Sequence, residues 1–316
     1  MRIFFVAAAF AVMLVAGVQP ACAERASPGG EETSSLKLAK LKLESSAALV
    51  LDQISGAVLY GKNAQSVAPI ASITKLMTAM VVLDANLDPG ERIAITDEDI
   101  DLLRGSHSRL RIGAVISRDE LLRLALMASE NRAASALGRS YPGGLEAFVR
   151  AMNLKAQLLG MTGSRFHDST GLSSSNVSTA EDLATLVRAA HQYPKIREYT
   201  TSTAYQIDLG GRRPMAFHNT NRLVGDGSWD IGLSKTGFIN EAGRCLVMQA
   251  TLAGRAVIIV LLDSWGKYSR IGDANRIRRW LEIASGIQPA HKYKSASSTR
   301  ARRHISASAS RATPRT

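Results

Sequence analysis

Apolar runs typical of β-strands lie near both ends of this sequence of 316 residues, and helix-like runs lie between them. The stretch "AALVLDQISGAVLYGK" predicts a hairpin that turns at Ser55-Gly56. The stretch "RCLVMQATLAGRAVIIVLLD" predicts a second hairpin around Ala253-Gly254. Strands from both ends of a chain favour an antiparallel sheet fed by both termini, with a helical insert. We therefore predict a mixed α/β (α+β) fold.

Four helices are indicated by apolar spacing and by start signals. Helical spacing runs from Ile70 to Leu83, directly after Pro69. Two further helices open with a capping box, in which a serine and a glutamate three residues later satisfy free backbone N–H groups; the pairs are Ser117/Glu120 and Ser178/Glu181. The stretch "RIGDANRIRRWLEIAS" predicts an amphipathic C-terminal helix, whereas "LKLAKLKLE" fits either a strand or a short basic helix.

The N-terminus has the composition of a secretory signal. Arg2 precedes an apolar run from Ile3 to Val18, and "ACA" ends at Ala23. A charged start, an apolar run and an A-x-A site predict cleavage after Ala23. The run is shorter than the roughly 20 residues of a spanning helix, which disfavours an uncleaved anchor. We therefore expect a periplasmic protein exported with a cleaved signal peptide.

The net charge of +12 is concentrated at the C-terminus. Residues 291–316 contain seven Lys or Arg and no acid, and these seven with Arg2 account for eight of the twelve charges. An exported chain rarely meets chromosomal DNA, so we predict no nucleic-acid partner. Anionic lipid head groups or wall polymers suit such a tail better.

Composition divides the chain into four parts, which we predict as follows: a signal peptide (1–23), an N-terminal linker (24–45), one catalytic domain (46–284) and a basic disordered tail (285–316). Cleavage at Ala23 would leave one cysteine, Cys245, so the domain is expected to fold without a disulfide. Cys245 lies in the apolar run "CLVMQATL", which predicts a small buried hydrophobic residue.

Three S-x-x-K patterns occur, so the pattern alone has little specificity: Ser34/Lys37, Ser72/Lys75 and Ser264/Lys267. Only Ser72 and Lys75 lie at the start of a long apolar helix. Residues three apart on a helix face the same way, and a helix N-terminus favours a developing negative charge. Ser72 and Lys75 are therefore the candidate nucleophile and its base, with two ordinary helix residues as the alternative.

Two further short patterns follow in the chain. "SEN" at 129–131 ends the Ser117 helix and places a hydroxyl and an amide on one loop, although the pattern taken alone favours a plain helix-ending turn. Lys-Thr-Gly at 235–237 closes the short run "IGLSKTGF". On an edge strand it would offer a positive charge, a hydroxyl and an unobstructed position to a ligand backbone lying alongside.

The order S-x-x-K, S-x-N and K-T-G resembles penicillin-binding proteins and serine β-lactamases. The stretches "PIASITKLMTA", "LMASENRAASAL", "YPGG", "STGLSSSNVST", "FHNTNRLV" and "SKTGFINEAGRCLVMQA" resemble the low-molecular-mass D-alanyl-D-alanine carboxypeptidase and endopeptidase family over roughly 46–284. Serine-glutamate-asparagine with "YPGG" is most similar to the endopeptidase branch, because the carboxypeptidases usually have glycine in the middle of the second motif. The resemblance implies an antiparallel sheet flanked by helices, with a helical subdomain.

The resemblance also implies roles for the motif residues. Ser72 would form an acyl-enzyme, Lys75 would take its proton, and Ser129 would relay a proton to the leaving amine. The substrate-binding residues would be Asn131, Lys235, Thr236, Gly237 and Phe238. Lys235 and Thr236 would hold the substrate carboxylate, and the backbone N–H groups of Ser72 and Phe238 would form the oxyanion hole.

The expected reaction is hydrolysis of D-Ala-diaminopimelate cross-links in peptidoglycan, with β-lactams as covalent inhibitors. Trimming of pentapeptide stems by a D-alanyl-D-alanine carboxypeptidase and a non-catalytic penicillin-binding sensor are the alternatives. A class A β-lactamase is disfavoured, because E-x-x-L-N is missing between Asn131 and Lys235. We predict no metal and no cofactor, since no H-E-x-x-H occurs. A triad of His167 and Asp168 with Ser72 is a weaker alternative.

Overall fold

The computed structural model describes residues 41–209 and 214–287. The predicted signal segment, nearly all of the linker and nearly all of the basic tail lie outside these residues. The strands of the described part are β1 (Ser45–Asp52), β2 (Val58–Lys62), β3 (Ala68–Pro69), β4 (Arg92–Ala94), β5 (Val115–Ser117), β6 (Val177–Ser178), β7 (Ala204–Ile207), β8 (Met215–His218), β9 (Asp230–Ile239), β10 (Gly243–Leu252) and β11 (Arg255–Ser264).

Helices occupy most of the chain between β3 and β9, and one more follows β11. They are α1 (Thr74–Asp84), α2 (Arg118–Met127), α3 (Asn131–Arg139), α4 (Gly144–Leu158), α5 (Ala180–Ala190), α6 (Pro194–Thr201) and α7 (Ser269–Ala284). Within the described ranges, none of these helices combines the length and the apolar character that crossing a membrane requires.

The central sheet has five strands in the order β2-β1-β11-β10-β9, and all of its pairs are antiparallel. Both predicted hairpins are confirmed: β1 turns into β2 through Gly56, with φ of 74°, and β10 turns into β11 at Ala253-Gly254. The sheet therefore takes strands from both ends of the domain, as the sequence predicts. Lys-Thr-Gly lies on β9, which is confirmed as an edge strand.

Successive strand residues point to opposite faces of the sheet, and β1, β10 and β11 are buried on both faces over most of their length. Leu49 and Val260 belong to the hydrophobic core that also includes residues of α1 to α5. The intervening residues Val50 and Ile259 are also fully buried, and α7 contacts β1, β10 and β11. The sheet thus lies between α7 on one face and the remaining helices on the other.

The helical insert packs as one group beside the edge strand β9. The helices α2 and α3 contact each other, α2 contacts α6, and α6 contacts β9. This arrangement brings the end of α2 next to the edge of the sheet, which positions the 129–131 motif.

The N-terminal residues of α2 and α5 can be compared with the two predicted capping boxes. The box of α2 is confirmed, because Ser117 Oγ accepts the backbone N–H of Glu120 and the Glu120 carboxylate accepts from Ser117. The predicted capping box at Ser178 is wrong by one residue. Thr179 is the N-cap of α5, and its hydroxyl accepts the backbone N–H of Asp182. Ser178 ends β6 and its hydroxyl contacts Ser164 Oγ at 2.7 Å, so it is not available as a cap.

A buried carboxylate ties the first strand to the last helix. Asp273 of α7, with no exposed surface, accepts the backbone N–H groups of Glu44 and Ser45 at 3.0 and 2.8 Å and the Ser45 hydroxyl at 2.6 Å. The Ser45 hydroxyl also contacts Ser264 at the end of β11. Because each buried donor has an acceptor, the start of β1 is fixed against the C-terminal helix.

Candidate active site

Ser72 lies in a single 3-10 turn, Ala71–Ile73, which leads directly into α1. The turn begins with Ala71 at a positive φ of 48°, a left-handed conformation that a residue with a Cβ adopts only at a cost of about 1–2 kcal/mol. This conformation turns the chain from β3 into the helix. It places Ser72 one turn before Lys75 on the same side of the helix start.

Two glycines allow other segments to approach this turn closely. A Cβ added at Gly171 would lie 2.0 Å from the carbonyl oxygen of Ala71, and one added at Gly237 would lie 2.8 Å from the carbonyl oxygen of Ile70. Neither position accommodates a side chain without a shift of backbone. The loop around Gly171 and the strand β9 therefore pack directly against the turn that carries Ser72.

Lys75 is fully buried and directs its amine at three oxygen atoms. Its Nζ lies 2.9 Å from Ser72 Oγ, 2.8 Å from Asn131 Oδ1 and 2.5 Å from the carbonyl oxygen of Thr170. An ammonium group has three N–H donors, so these three oxygens satisfy it completely.

The same geometry determines what the neutral amine can do. The Asn131 Oδ1 and the Thr170 carbonyl can only accept, so both N–H bonds of a neutral Lys75 remain committed to them. The lone pair then faces Ser72, whose hydroxyl can donate to it. Burial lowers the pKa of Lys75 to about 8, against the raising effects of Asp168 and Glu130. The neutral amine is thus accessible near neutral pH.

Ser129 joins the site from the connection between α2 and α3. It has a positive φ of 58°, and the next residue, Glu130, is the N-cap of α3. This conformation ends α2 and places Ser129 Oγ 2.9 Å from Nζ of Lys235. The structure therefore brings the second and third sequence motifs into direct contact.

Lys235 and Thr236 face the site from β9. Lys235 is 1% exposed, and its amine also reaches the carbonyl oxygen of Thr236 at 3.1 Å. Burial, with repulsion from Lys75 and Arg270, lowers the pKa of Lys235 well below its ordinary value. Thr236 donates its hydroxyl to Thr220 Oγ1 at 2.7 Å. An incoming carboxylate would compensate the buried charge of Lys235.

Gly237 and Phe238 complete this edge of β9. Arg270 of α7 donates to the carbonyl oxygens of Gly237 and Cys245 at 3.0 and 3.2 Å, which fixes the strand from behind. The Phe238 side chain is half exposed, and the guanidinium of Arg244 lies 4.6 Å from its ring centroid. Cys245 is buried, as predicted. Gly237 and Phe238 thus form an open edge beside the Ser72 turn.

A loop between β4 and β5 positions the two residues that follow Ser129. Ser106 Oγ accepts from Asn131 Nδ2 at 2.9 Å, and Ser108 donates to the Glu130 carboxylate at 2.5 Å. The first contact fixes the amide of Asn131, so that its oxygen faces Lys75. The second uses the glutamate that distinguishes "SEN" from the glycine-containing motif.

Sequence reasoning placed all eight candidate residues on elements that meet here, but it missed several contributors: Ser106, Thr170 and Thr220. The "FHNTNRLV" stretch contains Thr220, and "STGLSSSNVST" contains Thr170. These stretches carried family resemblance without a chemical assignment. A residue that contributes through its backbone carbonyl or through a loop hydroxyl leaves no characteristic spacing in the sequence, so these three could not be found from motifs.

In the described part of the chain, no hydrogen bond joins His167 or Asp168 to Ser72. Asp168 accepts the backbone N–H groups of Thr170 and Gly171, both at 2.6 Å, so it shapes the loop that presents the Thr170 carbonyl. His167 contributes its backbone N–H to Asn176. Ser264, of the third S-x-x-K pattern, contacts Ser45 under α7. Across residues 41–209 and 214–287, no cluster of three His, Cys, Asp or Glu suited to a metal occurs.

Solved structures that share this fold include a DD-transpeptidase and a penicillin-binding protein. The Streptomyces K15 DD-transpeptidase superposes with a TM-score of 0.71 at 29% identity, over 77% of this chain and 98% of that protein. Penicillin-binding protein D2 of Listeria monocytogenes, in its cefotaxime-bound form, gives a TM-score of 0.67 at 30% identity, over 78% of this chain and 99% of that protein. The predicted penicillin-binding fold is confirmed.

The sequence profile of the D-alanyl-D-alanine carboxypeptidase (peptidase S11) family matches residues 33–266, and the chain belongs to this family. A Pseudomonas aeruginosa protein named D-alanyl-D-alanine endopeptidase is 51% identical over 76% of this chain and 78% of its own length. The Escherichia coli protein of the same name is 45% identical over the same shares. A Bacillus subtilis D-alanyl-D-alanine carboxypeptidase is 31% identical over 72% of this chain.

The close packing of Gly171 on the Ser72 turn predicts a large effect of one methyl group. Gly171→Ala should lower the free energy of unfolding by about 2–4 kcal/mol, because a left-handed residue gains a Cβ that meets backbone. Gly160→Ala is the matched control: Gly160 has φ of 74° but nothing within 4 Å, so about 1 kcal/mol is expected. Urea unfolding of both variants tests this. Equal losses of unfolding free energy in the two variants would mean that the backbone of the Ser72 turn shifts to accommodate the methyl group at position 171.

Proposed function

We propose that this member of the family is a serine DD-endopeptidase that hydrolyses D-Ala-diaminopimelate cross-links in peptidoglycan through an acyl-enzyme on Ser72. The observation that carries the proposal is the contact of the buried Lys75 amine with the Ser72 hydroxyl at 2.9 Å, beside the Lys235–Ser129 pair. The relatives at 51% and 45% identity, both named D-alanyl-D-alanine endopeptidase, support the branch.

In the first step Ser72 Oγ attacks the D-Ala carbonyl carbon as its proton passes to the neutral Lys75 amine. The carbonyl oxygen becomes an oxyanion between the backbone N–H groups of Ser72 and Phe238. Removing one such donor generally costs about 10²- to 10³-fold in rate. A positioned general base contributes typically about 10²- to 10⁴-fold. Both contributions require the turn geometry described above.

In the second step the C–N bond breaks, and the proton that Lys75 accepted passes through Ser129 to the leaving amine, which returns Lys75 to its neutral form. Lys235 contacts the Ser129 hydroxyl at 2.9 Å. The ester on Ser72 is then hydrolysed by water, with Lys75 again as base. Lys235 and Thr236 hold the carboxylate next to the cleaved amide, and Asn131 orients the substrate amide. Because the Lys235 amine is buried, a carboxylate bound beside it stabilises the charged form of Lys235.

A carboxypeptidase that removes the terminal D-Ala of a pentapeptide is the second candidate. The Bacillus subtilis relative named D-alanyl-D-alanine carboxypeptidase supports it at 31% identity. The cleft chemistry is common to both substrates, because each carries a free carboxylate next to the scissile amide. The contact of Glu130 with Ser108 favours the endopeptidase, since it uses the residue that separates the two motif types.

The proposed location is the periplasm, reached with the signal peptide that ends at Ala23. The substrates are the peptide stems of peptidoglycan, and β-lactams acylate the same serine. The basic segment after Pro289 is proposed to bind anionic lipid or wall polymer, with seven cations and no acid from 291 to 316.

Ser72→Ala is expected to abolish covalent labelling by penicillin, because the β-lactam carbonyl is trapped as an ester of Ser72. The variants Ser34→Ala and Ser264→Ala remove the serines of the other two patterns and should label at the wild-type rate. Labelling is measured with a fluorescent penicillin on denaturing gels. Wild-type labelling of Ser72→Ala would assign the nucleophile elsewhere.

The lowered pKa of Lys75 predicts a pH dependence. Below about pH 8 the ammonium form dominates and cannot accept the serine proton, so acylation at saturating penicillin should rise as the pH increases from 6 to 8. The rise should level off where the amine is neutral. Stopped-flow acylation rates give the profile. Lys75→Arg is the control, since a guanidinium stays charged: the rate should fall at least about 10²-fold and lose the rise.

Deleting the segment after Pro289 should leave turnover of a soluble muropeptide unchanged. Binding of the truncated protein to sacculi or to vesicles with anionic lipid should be weaker and less sensitive to salt, because the lost contacts are charge interactions. Sedimentation at low and high salt measures this. Equal binding of both proteins at low salt would exclude a role of the tail in attachment.

Purified cross-linked dimer and monomeric pentapeptide, incubated together with the enzyme, distinguish the two candidate activities. We expect the dimer to be hydrolysed to monomers faster than the pentapeptide loses its terminal D-Ala, and mass spectrometry of the products measures both rates. The Ser72→Ala variant is the control for contaminating hydrolases. Rapid loss of D-Ala with the dimer left intact would identify a carboxypeptidase.

A further inference from the structure

An ion pair beside the site links the loop between β4 and β5 to the turn between β9 and β10. Arg104 Nη2 lies 2.9 Å from Glu241 Oε2, and Arg104 Nε donates to the carbonyl oxygen of Leu172 at 2.6 Å. Arg104 belongs to the loop between β4 and β5, and Glu241 to the turn between β9 and β10. Leu172 directly follows Gly171, which packs on the Ser72 turn. The pair therefore adjoins both the sheet edge and the floor of the site.

The order of residues along β9 places the pair relative to a bound substrate. Lys235 and Thr236, which would hold the carboxylate of the leaving group, come first, and Phe238 follows beside the scissile carbonyl. Glu241 lies three residues further, in the turn that follows the end of β9 at Ile239. A substrate lying along β9 thus extends its acyl side, the donor stem, toward Arg104 and Glu241.

Arg104 is held in place independently of Glu241. The Asp101 carboxylate accepts the backbone N–H groups of Leu103 and Arg104 at 3.0 Å and of Ser106 at 2.9 Å, which fixes the loop. The side chain of Arg104 is 23% exposed, and that of Glu241 is 48% exposed. Exposed ion pairs contribute little to stability, so a ligand of matching charge can replace this one at small cost.

We propose that Arg104 and Glu241 form a donor-stem subsite for a free α-amino acid end, a group with one ammonium and one carboxylate on the same carbon. This inference rests on the proposed function. The stem residue before D-Ala is diaminopimelate, whose side chain leads through three methylene groups to such an end. The Arg104 guanidinium would bind the carboxylate, and the Glu241 carboxylate would bind the ammonium.

The pairing of opposite charges determines the class of ligand. A site for an anion alone would have Arg104 without a neighbouring acid, and a site for a lysine side chain would have Glu241 without the arginine. The hydrogen bond from Arg104 lowers the pKa of Glu241, so both side chains are charged at neutral pH. When the contact between Arg104 and Glu241 opens, a ligand with both an ammonium and a carboxylate can pair with both side chains.

A double-mutant cycle between enzyme and substrate tests the subsite. The substrates are the cross-linked dimer and the same dimer acetylated at the free amine of the donor stem. Glu241→Gln should lower kcat/KM for the free-amine dimer about five- to tenfold and leave kcat/KM for the acetylated dimer nearly unchanged. Arg104→Gln should behave in the same way toward a dimer whose donor carboxylate is converted to an amide.

Two controls separate this inference from the proposed function and from a purely structural role. Glu146→Gln removes the acid of an exposed ion pair with Arg150 on α4 and should change neither substrate. Penicillin labelling of Glu241→Gln should match the wild type. An equal loss toward the free and the acetylated dimer would make the pair a structural latch and overturn the subsite. A wild-type enzyme that cleaves neither dimer nor pentapeptide would instead refute the proposed function.

Discussion

The buried amine of Lys75 is the constraint on which the site depends. A cation without exposed surface requires three acceptors, and they come from three different parts of the chain: Ser72, Asn131 and the carbonyl of Thr170. Two of these acceptors cannot donate. The third is a hydroxyl, so loss of one proton from the lysine leaves only one atom that can supply another. The hydrogen bonds of the resting site therefore fit the direction of the proton transfer that we propose.

Backbone strain accompanies this arrangement. Ala71 and Ser129 both have positive φ, and each lies at or next to a proposed functional serine. The surrounding packing maintains both conformations: Gly171 and Gly237 allow close backbone contact at the first, and α2 ends at the second. The packing around the site thus holds Ala71 and Ser129 in conformations that a free chain would leave.

Much of this was predictable from the sequence, because hairpins and capping signals are local. The two end hairpins, the edge position of Lys235 and the contact of Ser72 with Lys75 follow from spacing and strand chemistry. The loop contributors do not, since the carbonyl of Thr170 and the hydroxyl of Ser106 act through positions set by tertiary packing. The N-cap of α5 is Thr179 and not the predicted Ser178 for a similar reason: the Ser178 hydroxyl forms a tertiary hydrogen bond with Ser164.

The position of β1 has a consequence for the order of folding. This strand lies between β2 and β11, and the Asp273 carboxylate fixes its first residues to α7. The sheet therefore cannot close until about two hundred further residues have been synthesised, because Val50 pairs with Ile259. Contacts of such long sequence separation form slowly. During synthesis β1 can pair with the neighbouring strand β2, but it lacks β11 and α7, so the five-stranded sheet is completed only after the last strands have been made.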